Sequence, residues 1–215
     1  MMQVKTSDIL VIGAGGAGLT AALEASQSEQ KIILTSKTAL TRAQSVMAQG
    51  GINASLGNVC EDNVTAHIED TIKGAAGLAN EDAAKVLCDG AHDAIAWLDS
   101  KGVPFSRTEE GAIAQRAFGG TSKKRTCYSS DMTGHAIVHA LADQIIAKDN
   151  IEICSEYFLL RLLKKENRII GAQFLEIASG DEVAIFSPSV ILATGGYGAI
   201  FIDHPTNSPA TTGDG

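Results

Sequence analysis

The stretch "DILVIG" (residues 8–13) is apolar on both faces rather than alternating, the pattern of a strand buried on both sides in a parallel sheet. "GAGGAGLTAALEAS" (13–26) turns from glycines into an Ala/Leu-rich helix, and "KIILTSK" (31–37) repeats the buried-strand pattern. Together they predict a βαβ unit. Residues 61–101 read as helical: "EDNVTAHIEDTIKG" spaces Val64, Ile68 and Ile72 four apart, and "EDAAKVLCDGAHDAIAWLDSKG" carries an apolar stripe ending at Gly102. "VPFSRTEEGAIAQRAFGG" (103–120) holds too many turn residues for a helix and predicts a small hairpin. In "DMTGHAIVHALADQIIA" a further helix starts at Thr133, read as its N-cap, with Ile137, Leu141 and Ile145 on one face.

From residue 151 the period changes to two. Three or four strands joined by turns at Glu166-Asn167 and Ser179-Gly180-Asp181 predict an antiparallel meander. "SVILATGG" (189–196) returns to the fully apolar strand and ends in glycines. There is neither an internal repeat nor a low-complexity linker.

Composition narrows the function. The 215 residues can bury a substantial core, and 45% hydrophobic content with 22 glycines and 4 prolines fits a packed α/β protein. With 17 Lys+Arg against 25 Asp+Glu the formal charge is -8, which disfavours a nucleic-acid surface because phosphate binding requires clustered cations. The one basic run, Lys123 to Arg125, reads as a solvated loop. Cys60, Cys88, Cys127 and Cys154 form no CxxC pair, so neither a zinc site nor a redox dithiol is indicated and reduced cytosolic thiols are expected. His135 and His139 stand four apart, but "HAIVH" lacks the glutamate of a zinc-protease helix and has no third ligand, so no metal is expected. No apolar run approaches the ~20 residues that span a bilayer, so any membrane association is expected through a partner.

The chemistry begins at Gly13, Gly15 and Gly18, a G-x-G-x-x-G between the first strand and first helix. The first glycine permits a tight turn, the second lets backbone approach a diphosphate, and the third lets helix pack on strand. The helix then offers its free N–H groups and positive dipole end to the phosphates. NAD sites usually carry Asp or Glu at the end of the second strand. Here that position reads Thr35-Ser36-Lys37, which favours FAD, with a hydroxyl toward the ribose. Thr194 and Gly195 at the end of "ILATGG" would bring a second backbone segment to the same cofactor, or form an ordinary strand-end turn.

Taken together, "GAGGAG" (13–18), "SK" (36–37), "TR…AQGGINASLG" (41–57), "DT.KG" (70–74), "PFSRTEEG…QRAFGG" (104–120), "DMTGH" (131–135), "LATGGYG" (192–198) and "TGDG" (212–215) resemble the flavoprotein subunit of the succinate dehydrogenase and fumarate reductase family. The resemblance implies an α/β fold: an FAD-binding, Rossmann-like domain of the glutathione-reductase type with a parallel sheet and an antiparallel β-meander. Residues 1–215 would be the N-terminal part of that domain, with its remainder and the substrate-capping domain outside this chain.

The implied activity is FAD-dependent hydride exchange with a C4 dicarboxylate, succinate or fumarate. An iron-sulfur subunit of a respiratory complex would carry the electrons, on the cytoplasmic side and peripheral to the inner face of the membrane. Carried over position by position, the FAD contacts are Gly13, Ala14, Gly15, Gly16, Ala17 and Gly18 for the diphosphate. Ser36, Lys37, Arg42, Gln44, Ser45, Ala48, Gln49, Gly50 and Gly51 follow for the ribose and ring, with Thr194, Gly195 and Asp214 completing the set. Phe118 and Gly119 would flank the dicarboxylate, with Arg116 a candidate there because dicarboxylates favour guanidinium forks, and catalytic residues are expected beyond Gly215. Arg125, His67 and His92 are further polar candidates for the same site, with surface salt bridging the alternative for Arg125.

The family carries R-S-H-T near the ring, its histidine bonding covalently to the flavin. This chain reads Arg42-Ala43-Gln44-Ser45. A carboxamide is not nucleophilic near neutral pH, so FAD is expected to be held without a covalent bond. The alternatives are L-aspartate oxidase, which shares "AQGGI" and non-covalent FAD, and a truncated, non-catalytic flavin-binding fragment.

Overall fold

The computed structural model describes residues 3–196. The expected contact Asp214, the "TGDG" motif and the end of "LATGGYG" therefore lie outside the described residues. The chain divides into two compact units, Met1–Val46 with Val138–Gly215, and Met47–Ile137.

The first unit is built on a parallel sheet. Strands β2 (Ile9–Ile12) and β3 (Ile32–Ser36), joined through helix α1 (Gly16–Ala25), pair in parallel, Ile9 opposite Ile32 and Ile12 opposite Thr35. β7 (Ile151–Ser155) adds beyond β3 and β11 (Ser189–Leu192) beyond β2, giving the order β11-β2-β3-β7. The uninterrupted apolar runs now have their reason. Alternate residues Leu10, Ile12 and Ile33 enter a core with Tyr157, Phe174, Val183 and Ile185. Val11, Ile32 and Leu34, pointing to the opposite face, are fully buried where α1 contributes Leu19, Ala22 and Leu23.

A second sheet supplies the other half of that core. β8 (Tyr157–Lys165), β9 (Arg168–Glu176) and β10 (Glu182–Phe186) form the antiparallel meander, turning at Glu166-Asn167 and around Gly180 as expected. Two features depart from the sequence reading. β7 joins the parallel sheet instead of the meander: Glu156, at φ 62, breaks the chain between β7 and β8, and a glutamate gives no sequence signal for that backbone state. The amino-terminal β1 (Gln3–Thr6) pairs in parallel with β10. Glu152 of β7 is anchored by Lys5 at 2.7 Å and Lys31 at 3.4 Å.

The second unit holds α2 (Val64–Gly74), α3 (Glu81–Asp89) and α4 (Ala91–Ser100); the sequence predicted two helical stretches between 61 and 101, and the second of them divides at Gly90, the C-cap of α3 and N-cap of α4. Asn63 and Asn80 cap α2 and α3, their side-chain oxygens accepting from Ala66 and Ala83 N–H. In α2 the stripe of Val64, Ile68 and Ile72 is only half-buried, and His67 is the residue that is buried. The expected hairpin forms around the Arg107–Ile113 bridge, followed by a three-stranded antiparallel sheet of β4 (Ile52–Asn53), β6 (Thr126–Cys127) and β5 (Gln115–Arg116). Helix α5 (Thr133–Ile146) starts at Thr133 itself rather than after it as a cap. The Thr133 hydroxyl accepts from the Ser129 N–H.

Phe174 is fully buried between the two sheets of the first unit. Phe174→Ala is expected to lower stability by about 3–5 kcal/mol in urea denaturation, through lost burial plus the cavity it leaves.

Candidate functional site

The site begins where three pieces of backbone converge in the first unit. At the end of β2, Gly13 donates its N–H to Thr35 O at 2.9 Å and adopts φ +108. A Cβ there would stand 2.2 Å from Ala193 O, at the end of β11. At Gly18, on the first turns of α1, a Cβ would stand 1.8 Å from Gly13 O. Both glycines are therefore obligatory for steric reasons, and they bring β2, α1 and the Ala193-Thr194-Gly195 turn together. Gly195 itself has φ +83.

The mouth of α1 suits an anion. Gly15 is the N-cap and makes no side-chain capping bond, and the first turn carries no acidic residue. Ser45 comes to this mouth from the loop after β3, and its hydroxyl accepts the Gly16 N–H at 3.0 Å. A serine oxygen that accepts still has its own proton to give, so Ser45 extends the row of donors. Ser36, buried at the end of β3, lies on the strand beside β2. Ala14 is buried, Ala17 is exposed, and Arg42 and Gln44 stand exposed in the loop, Gln44 opening the short 3-10 helix Gln44–Met47. Lys37 is half-buried. A bare glycine backbone, a helix N-terminus free of carboxylates and a convergent hydroxyl fit the diphosphate of a dinucleotide.

Within the second unit, the carbonyls of the segment Ala48 to Gly51 are held from within. Gly134 N–H, at the start of α5, donates to Ala48 O at 2.6 Å. Arg116 Nη2 donates to Gln49 O at 3.0 Å and Gly50 O at 2.7 Å, and its guanidinium lies 4.4 Å from the Tyr128 ring centre. Gly51, at φ +124, sits so close to β6 that a Cβ would meet Cys127 O at 2.3 Å. The Phe118 ring lies directly on Gly50, where a Cβ would meet its Cζ at 2.6 Å, while Phe118 remains 52% exposed. Gly119 follows in an exposed turn.

Arg125 occupies neither the solvated loop nor the surface salt bridge expected of it. It is completely buried, pairing through Nη2 with Asp62 at 2.9 Å and Asp70 at 3.3 Å, whereas Lys123 and Lys124 are exposed. Desolvation, reinforced by Arg125, pushes the nearby His67 below the usual imidazole range. His92 has its ring nitrogen on Ser55 O at 2.8 Å. Burial pushes the Cys127 thiol up to about 12, against a hydrogen bond from Gln115. Among the described residues no group of three or more His, Cys, Asp or Glu could hold a metal ion. The roles of Asp62, Asp70, Tyr128 and Gly134 were not evident from the sequence. "DT.KG" marked Asp70 without saying what it holds.

A family profile for the FAD binding domain matches residues 8–215. The chain belongs to this FAD binding domain family. The domain is 41% identical over 216 residues to the succinate dehydrogenase flavoprotein subunit of Rickettsia bellii, across 97% of this chain and 36% of that protein. Among solved structures it is similar to Mycobacterium smegmatis Sdh1 in complex with UQ1, with a TM-score of 0.92 and 33% identity over 100% of this chain and 38% of that one. A quinol-fumarate reductase with menaquinol molecules gives a TM-score of 0.88 at 32% identity, over 99% of this chain and 37% of that one. The chain thus spans 36% of the length of the Rickettsia relative. These likenesses bear out the α/β fold and identify FAD as the cofactor of the domain. Among the described residues no helix is long and apolar enough to cross a membrane.

Gly18→Ala is expected to force α1 away from β2. Overpacking of this kind costs about 1–3 kcal/mol, and here it also displaces the FAD-binding turn. The purified variant is expected to carry less flavin per chain, read from its visible absorbance, than the parent protein.

Proposed function

We propose that this chain is the cofactor-binding portion of an FAD-dependent oxidoreductase of the succinate dehydrogenase and fumarate reductase type, acting on a C4 dicarboxylate. The observation that carries the reading is the pairing of a glycine cradle at α1 with the Arg42–Ser45 loop, which delivers Ser45 to the same helix end. Similarity to succinate dehydrogenase flavoprotein subunits and to a quinol-fumarate reductase supports the choice of substrate class.

In this reading Gly13 to Gly18 and Ser45 bind the diphosphate, with Thr194 and Gly195 closing the cradle. Ser36 and Lys37 hold the ribose. Bound FAD supplies a site that accepts or gives a hydride. The Ala48–Gly51 backbone lies along the ring, and Arg116 braces it through the Gln49 and Gly50 carbonyls. Phe118 and Gly119 form an apolar and open wall for the dicarboxylate beside Gly50. In this reading an iron-sulfur subunit carries the electrons and links the protein to the membrane.

Gln44 sets the mode of attachment. Its amide hydrogen-bonds but does not attack the flavin methyl, so FAD is held by non-covalent contacts alone. A flavin without an electron-withdrawing histidyl substituent has a lower reduction potential, which favours delivery of a hydride to fumarate over removal of one from succinate. The protein made from the complete gene is expected to release its flavin into the supernatant on acid precipitation and to reduce fumarate faster than it oxidises succinate. A flavin that stays with the precipitated protein would contradict the role given to Gln44. Turnover of L-aspartate to iminoaspartate in place of fumarate reduction would replace the substrate reading.

A further inference from the structure

Within the second unit, the loop that carries Phe118 is anchored at both ends. At its start Arg116 is bound to the Gln49 and Gly50 carbonyls and stacks on Tyr128. At its far end Asp70, on α2, receives two hydrogen bonds from one residue: Ser122 N–H at 2.7 Å and Ser122 Oγ at 2.8 Å, both to Oδ2. The same oxygen lies 3.3 Å from Arg125 Nη2, which is itself paired with the buried Asp62 at 2.9 Å. Between the anchors, Gly119 and Gly120 have nothing within 4 Å of where a Cβ would stand, and Gly120 adopts φ +82. Gly119 and Gly120 thus add no packing to the loop, which is closed locally by Thr121, whose N–H and hydroxyl donate to Phe118 O at 3.3 and 2.9 Å.

We propose that Asp70 is a positioning residue for the substrate wall: by holding Ser122 and Arg125 it fixes the loop that sets Phe118 on Gly50. This rests on the reading above that Phe118 flanks the dicarboxylate. Charge-assisted hydrogen bonds from a backbone N–H and a hydroxyl to one carboxylate are the stronger kind. Here they join a loop to a helix 52 residues earlier in the chain. Arg125 is completely buried, and its charge makes the anchorage exacting because an uncompensated buried charge is strongly destabilising. Burial opposes ionisation of Asp70, but the two Ser122 bonds and Arg125 outweigh it and keep the carboxyl below its usual range. The tether is therefore fully present above the usual carboxylate pKa and is lost only as pH falls through the lower, folded value.

Trypsin reports the tether directly, because Lys123 and Lys124 lie in this loop and are exposed. The holoprotein from the complete gene is compared with Asp70→Ala, Ser122→Ala and the double variant. Removing a charge-assisted bond is expected to raise the cleavage rate at these two lysines about tenfold in Asp70→Ala and about threefold in Ser122→Ala. The double variant should cleave no faster than Asp70→Ala, since Ser122 acts through Asp70. In the same proteins the KM for fumarate is expected to rise about tenfold in Asp70→Ala, with kcat and bound flavin within about twofold of the parent, the pattern of lost ground-state and transition-state binding alike.

Unchanged cleavage in both single variants overturns the tether. Faster cleavage with an unchanged KM overturns the positioning role. If Asp70→Ala does not fold, Ser122→Ala, altered only at an exposed hydroxyl, decides through its own cleavage rate and KM. A parent protein without fumarate turnover sinks the dicarboxylate reading alone, and the cleavage rates still decide whether Asp70 holds the loop.

Discussion

Between the end of β2 and the start of α1 there is no room for a side chain. Gly18 approaches the Gly13 carbonyl so closely that a Cβ would overlap it at 1.8 Å, and Gly13 itself turns with a positive φ against Ala193 O. This contact fixes the direction of α1 relative to the parallel sheet and aims the helix N-terminus past the sheet's carboxyl edge, where ligands of open α/β sheets bind. Everything else in the first unit adapts to it. The central strands β2 and β3 are buried on both faces because α1 takes one side and the meander the other. The loop after β3 returns to the helix mouth through Ser45.

The second unit works by a different device, bracing backbone with side chains and helix ends. The Ala48–Gly51 segment has three successive carbonyls occupied, by Gly134 N–H and by Arg116. A segment of four small or flexible residues would otherwise have many conformations, and fixing each one costs about 1–2 kcal/mol of backbone entropy. The brace settles that cost at folding, before any ligand arrives. Arg116 and Arg125 show two uses of guanidinium in one unit: one organises carbonyls beside an exposed phenylalanine, the other, itself buried, pairs with two carboxylates.

Local patterns carried the first unit well. "DILVIG" and "KIILTSK" are apolar on both faces because both faces are covered, whereas the equally apolar "SVILATGG" forms an edge strand that leaves Ile191 and Leu192 exposed; the glycines between the first two are dictated by distances of a few ångströms along a short stretch of chain. β7 was harder to place. An edge strand of a parallel sheet with one polar anchor, Glu152, has the same alternation as a meander strand, and the break after it rests on Glu156 in a backbone state glutamate does not advertise. In the second unit the deciding contacts are long-range. Arg125 meets Asp62 across 63 residues and Asp70 meets Ser122 across 52, so nothing near Arg125 in sequence distinguishes it from the solvated lysines beside it. Phe118 and Gly119 were singled out through the family resemblance, and Arg116 because a guanidinium suits a dicarboxylate. What the structure adds is that Arg116 faces backbone carbonyls and that Phe118 is seated on a glycine.

The central claim is that the glycine turn and the open end of α1 together form the seat of the flavin's diphosphate. A structure of the complete protein with FAD bound tests it most directly. The account predicts diphosphate oxygens within about 3 Å of backbone N–H groups between Gly15 and Ala17, with the Ser45 hydroxyl alongside. A diphosphate lying elsewhere, with α1 pointing at protein or solvent, would contradict it.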